Sequence, residues 1–158
     1  MNIGIIVYSF TGNTLFVANR LKEALSDKNT VNIERINSEN DKEAVLSRIV
    51  LKQKPDLTKY DVLIFASPVN AFTLAPVMKV YLSQITNIYK KKVYMFVTMA
   101  LPFDWMGGNS ALKSMKKYLE KQEVSFKEVA IIHWNKKFRE EQISNLVIKI
   151  NNDINSND

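Results

Sequence analysis

Six consecutive residues, Ser9-Phe10-Thr11-Gly12-Asn13-Thr14, concentrate the chemistry visible in this chain. They follow the apolar run Ile3–Tyr8 directly. A buried strand is therefore expected to end in a hydroxyl-rich turn, from which a helix starts. Such a turn offers backbone N–H groups, three hydroxyls and an amide to one small site. A helix N-terminus carries partial positive charge and unpaired donors, so it suits a phosphate. The segment contains neither Lys nor Arg, so the phosphate would be held by neutral donors. A simple helix cap needs only one Ser, Thr or Asn. Ser9, Thr11, Asn13 and Thr14 supply four in six positions, which favours an anion site.

Three common phosphate motifs are excluded. A nucleoside-triphosphate loop needs Gly-Lys before a hydroxyl residue, and the chain has no Gly-Lys pair. A dinucleotide fingerprint needs three spaced glycines, and this turn has one. A phospho-receiver domain would place acids at the end of the first strand, where Ser and Thr stand here.

The composition narrows the field further. With 158 residues and 46% hydrophobic content, one domain spanning 1–158 with a full core is expected. There is no cysteine, which removes disulfides, thiolate metal sites and a cysteine nucleophile. A single histidine, His133, argues against a histidine-rich metal site. It closes the last strand beside Trp134 and is read as structural or solvated. No apolar run reaches membrane-spanning length. Met1-Asn2-Ile3-Gly4 enters a strand at once, without the features of a signal peptide, so a cytoplasmic location is expected. The net charge of +6 is read as a solvated, lysine-rich surface. Neither nucleic acid nor membrane is expected as a partner.

The elements that must position the turn alternate along the chain. Strands are expected at Ile3–Tyr8, Thr30–Ile36, Asp61–Ser67, Lys92–Thr98 and Val124–Trp134. Helices are expected at Thr14–Ser26, Asp41–Lys52, Ala75–Ile85, Ser110–Gln122 and Phe138–Ile154. In the second of these, Ala44, Val45, Ile49 and Val50 are expected to face inward. Pro76 near the first turn of the third costs little, because its missing N–H would be unpaired anyway. The alternation implies an α/β fold, a doubly wound five-stranded parallel sheet with helices on both faces. Ligands of such sheets sit outside the carboxyl ends of the strands, where the strand order reverses. The unusual loops fall at those ends: Ser9–Thr14, Ser67–Thr73 and Thr98–Gly108. In the order 2-1-3-4-5 they converge on one ligand.

These residues resemble the flavodoxin-like family, whose sheets have that strand order. Ser9, Thr11, Gly12 and Thr14 are similar to its phosphate loop, with Asn13 also of the usual type. Tyr60–Val69 looks like its third strand, Ala75–Leu82 like the helix that follows, and Gly107-Gly108 like the end of its second flavin loop. The resemblance implies non-covalent FMN. Ser9, Thr11, Asn13 and Thr14 would hold the phosphate, with backbone N–H groups from Phe10 to Thr14. Pro68, Val69, Asn70, Ala71, Phe72 and Thr73 would flank one side of the flavin ring. Thr98, Met99, Ala100, Phe103, Trp105, Gly107 and Gly108 would flank the other. Phe72, Phe103 and Trp105 could each stack on the ring or pack against protein instead.

The chain also departs from the family's dedicated electron carriers. These are strongly acidic, and this chain is basic. They place a glycine in the first flavin loop, and this chain has Asn70-Ala71. The reading is an FMN-binding redox protein that passes electrons to a partner protein or a small acceptor. Two alternatives stand beside it: an FMN-dependent reductase or oxidase of quinones or similar acceptors, and a non-redox binding domain.

Overall fold

The computed structural model describes residues 1–156. Five parallel strands form the sheet: β1 (Asn2–Val7), β2 (Thr30–Arg35), β3 (Val62–Asn70), β5 (Lys92–Met99) and β6 (Ser125–His133). They lie in the order β2-β1-β3-β5-β6, so the strand order reverses at β1 and β3. This is the expected order. A two-residue strand, β4 (Thr73–Leu74), adds an antiparallel pairing to the end of β3.

The strands read as continuous apolar runs because both faces are covered. Successive side chains point to opposite faces. Ile3, Ile5 and Val7 of β1 pack in one layer with Val17, Ala18, Leu21 and Leu25 of α1 (Asn13–Leu25). Ile143, Leu146, Ile150 and Ile154 of α4 (Arg139–Asn155) complete that layer. Ile6 and Tyr8 face the other layer, with α2 (Pro76–Gln84) and α3 (Gly108–Glu120). Each fully buried Leu, Ile or Val contributes about 1.5–3 kcal/mol of transfer free energy. The two layers thus hold all five strand ends in a fixed relation.

The expected helix over Asp41–Lys52 does not form. Its only helical part is a single 3₁₀ turn, Leu46–Arg48. Of its four expected inward residues, Ile49 is buried, while Ala44, Val45 and Val50 are exposed. Polar side chains capture the backbone instead, the competition that makes Asn and Ser poor in helix interiors. Asn40 Nδ2 donates to the Arg48 carbonyl at 2.8 Å, and Asn40 Oδ1 accepts from the Val50 N–H at 3.1 Å. Ser38 pairs with Leu51 in an isolated bridge. The result is a compact loop whose stretch 41–44 turns toward the carboxyl ends of the strands.

β3 runs on to Asn70, beyond the expected end at Ser67, and Ala71-Phe72 then form a two-residue hairpin turn into β4. Both turn residues adopt positive φ, 47° and 63°. Side chains other than glycine are strained there, at about 1–2 kcal/mol each.

Replacing Asn40 with alanine is expected to release the 37–51 loop. Chemical denaturation should show a loss of about 1–2 kcal/mol. Amide exchange should accelerate over residues 39–51 and stay unchanged in the sheet; unchanged exchange over 39–51 would contradict the capture mechanism.

Candidate functional site

The carboxyl ends of β1, β3 and β5 border a cleft of about 490 Å³. That volume lies within the range of small-molecule and cofactor sites, about 300–1,000 Å³. Its floor and walls include Thr11, Asn13, Pro68, Val69, Asn70, Thr98, Met99 and Ala100.

The phosphate-like turn is built from its own polar groups. Ser9 Oγ accepts the N–H of Gly12 and that of Leu15, each at 3.2 Å. Gly12 takes φ 96°, which lets the chain turn sharply into α1. Its carbonyl already accepts the Phe16 N–H at 2.9 Å, so the helix is formed from its first residues. The N–H groups of Asn13 and Thr14 stand in the first turn, where a helix supplies no acceptor. Thr11 is exposed and Asn13 half-buried beside them. No side chain from Ser9 to Thr14 is cationic.

Thr14 behaves differently from the other hydroxyl residues of the turn. Its side chain is buried, and Oγ1 lies 2.8 Å from Thr98 Oγ1. This bond ties the start of α1 to the end of β5, two strands away from β1. The hydroxyl expected at the anion therefore fixes the geometry of the site, and the Thr14 backbone N–H remains for binding.

The two flanking loops are packed against each other. Gly107 has φ 122°, and a Cβ there would come within 2.6 Å of Val69 Cγ1 and 2.7 Å of Phe72 Cα. Only glycine allows this approach. The cleft walls are thus joined at their outer ends.

Nine of the anticipated site residues line the cleft: Phe10, Thr11, Asn13, Pro68, Val69, Asn70, Thr98, Met99 and Ala100. Ser9, Gly12 and Thr14 shape the turn beneath it. Ala71, Phe72, Thr73 and Gly107 build the loop junction outside its lining, and Gly108 packs beside it against Ile131 and Met99. Phe103 and Trp105 also lie outside the lining. Their rings stack on each other at 6.1 Å, and Trp105 is 75% exposed.

Other lining residues carry no motif: Tyr8, Asp41, Lys42, Glu43, Ala44, Ala75 and Pro76. The signal for Tyr8 was its place as the last residue of a buried strand. The loop residues fall in a segment whose spacing predicts a helix. Burial pushes the Tyr8 hydroxyl up to about 12, with the Asp41 carboxylate adding to the effect. Tyr8 is therefore a neutral hydroxyl throughout the physiological range. Among the described residues no cluster of three potential metal ligands exists.

No protein-family model matches the chain, and no curated protein sequence does either. Solved structures do match it. A flavodoxin, WrbA-like protein from Agrobacterium tumefaciens superposes with TM-score 0.73 at 13% identity, over 96% of this chain and 95% of the other. A flavoprotein from Lactobacillus acidophilus, solved in complex with FMN, gives 0.62 at 19% identity, over 89% and 97%. The two-electron reduced flavodoxin of Megasphaera elsdenii gives 0.65 at 17% identity, over 93% and 98%. The fold is the flavodoxin-like fold.

The Thr14–Thr98 link can be measured. Thr98→Val should strand a buried hydroxyl and cost about 1–3 kcal/mol in unfolding free energy. The Thr14→Val/Thr98→Val double variant removes both partners and should recover most of that loss. Strict additivity of the two single effects would show that the hydroxyls do not interact.

Proposed function

We propose that this protein binds FMN non-covalently and transfers electrons through it. The observation that carries the reading is the joining of the two halves of one site. A cleft at the strand-order reversal opens onto a helix start with free first-turn amides. The donor set fits the cofactor: neutral N–H and hydroxyl groups for the phosphate, and a mostly apolar slot for a planar ring. The FMN complex of the Lactobacillus protein and the redox state of the Megasphaera flavodoxin support the reading by fold.

The flavin supplies the electron chemistry when bound, and the protein supplies binding, orientation and electrostatics. The backbone N–H groups of Asn13 and Thr14, with the side chains of Thr11 and Asn13, would hold the phosphate. Pro68–Asn70 and Thr98–Ala100 would flank the ring. Tyr8 offers a neutral hydroxyl within the cleft. Asp41 and Glu43 face Lys42 alone on the loop wall, so that wall adds no net positive charge to favour an anionic reduced state. A reduction potential below that of free FMN follows. The natural counterpart would be a redox protein or a small acceptor in the cytoplasm. No described helix is long and apolar enough to cross a membrane.

One observation favours the enzyme reading instead. The cleft extends past the three loops to Tyr8, Ala44, Ala75 and Pro76, which leaves room for an organic acceptor beside the ring. Sustained NAD(P)H-dependent reduction of a quinone by the purified protein alone would select this reading over the carrier.

Titration should show one FMN per chain, with its fluorescence quenched. Riboflavin lacks the phosphate and should bind about 10- to 100-fold more weakly, the loss of one or two charge-assisted hydrogen bonds. Equal affinity for FMN and riboflavin would remove the phosphate site from the account, and no quenching at all would remove the cofactor.

A further inference from the structure

The outer half of the second cleft wall hangs from the junction of β6 and α4. The Trp134 N–H donates to the Met99 carbonyl at 2.7 Å, and Asn135 Nδ2 to the Ala100 carbonyl at 3.3 Å. Lys136 Nζ lies 5.4 Å from the centre of the Phe103 ring. The remaining link reaches the 3₁₀ turn Asp104–Met106 itself. His133 Nε2 lies 2.8 Å from Asp104 Oδ1, off the line of a straight hydrogen bond.

His133 is the only histidine of the chain and is buried at the end of β6. Its surroundings decide which ring nitrogen carries the proton. Its backbone N–H donates to Gln142 Oε1 at 2.9 Å. That bond fixes the Gln142 amide, so the group facing His133 Nδ1 at 3.0 Å is the amide NH₂, a donor. Nδ1 must then accept, and the ring proton sits on Nε2, toward Asp104. The other neighbours do not compete for it. The Phe138 ring meets the imidazole edge-on at 6.4 Å, and Arg139 is engaged by the Trp134 carbonyl and ring.

We propose that His133 is a positioning residue for the second cleft wall: Gln142 sets its tautomer, and its Nε2–H holds Asp104 and the turn bearing Phe103 and Trp105. Its consequence for ligand affinity rests on the FMN reading. Its structural content does not, because the His133–Asp104 contact involves the chain's own residues alone. The contact is made through the ring N–H, so an uncharged acceptor at position 104 should serve almost as well as a carboxylate. Asp104 is half-exposed, and its replacement leaves the core intact.

The test combines nitrogen NMR of the ligand-free protein with FMN titration of two variants. At pH 8 the His133 resonances should show a protonated Nε2 and a bare Nδ1. In Asp104→Ala, exchange of the Met106 amide, which closes the turn onto the Phe103 carbonyl at 3.0 Å, should accelerate at least about five-fold. FMN affinity should fall by a similar factor. Asp104→Asn should restore both to within about two-fold of wild type. A proton on Nδ1, an Asn variant as impaired as the Ala variant, or an Ala variant unchanged in Met106 exchange would each overturn the proposal. Wild-type protein that ignores FMN while showing the tautomer and the exchange pattern would refute the cofactor reading and support the clamp.

Discussion

One buried hydroxyl pair sets the geometry on which this site depends. Thr14 lies in the first turn of α1 and Thr98 next to the end of β5, and their side chains meet at 2.8 Å. Both residues are buried, so either hydroxyl left alone would bear the cost of an unsatisfied polar group, about 1–3 kcal/mol. The bond therefore acts as a spacer between the anion-binding turn and the second cleft wall. A rigid spacing matters because a ligand held by neutral donors gains from several short, well-aimed hydrogen bonds. A lysine or arginine could tolerate a poorer fit through longer-range attraction.

The walls are held by a different device at their outer ends. Gly107 places its backbone against that of Phe72, at a distance no side chain would permit. The turn it meets is strained, since Ala71 and Phe72 both take positive φ without being glycine. Type I′ hairpin turns favour Asn-Gly at these two positions. Strain retained beside a cleft is a common mark of a functional segment, where the surrounding packing over-determines the backbone. Here the packing comes from Gly107 on one side and the β3–β4 pairing on the other.

Much of this was legible in the sequence. The double-faced apolar runs gave the parallel sheet, and helical spacing gave α1, α2, α3 and α4. The hydroxyl-rich turn was visible because four polar residues crowd six positions where a cap needs one. The 37–51 loop was not legible. Its apolar residues have helical spacing, but Asn40 and Ser38 hold the backbone more effectively in another form. With the helix lost, Asp41–Ala44 became a cleft wall, which no periodicity could announce. The bond that Thr14 makes could not be read locally, because its partner Thr98 is 84 residues away. Sequence separation also hid the His133–Asp104 contact, which joins the end of β6 to the turn after β5.

The central claim is that the first-turn amides of α1 receive a phosphate while the paired loops hold a flavin ring. A ¹H–¹⁵N correlation spectrum recorded with and without FMN tests both halves at once. The account predicts large downfield shifts for the Asn13 and Thr14 amides, together with ring-current shifts in Val69–Ala71 and Met99–Ala100. Unmoved Asn13 and Thr14 amides, with shifts centred on Lys42 or on surface lysines elsewhere, would contradict it.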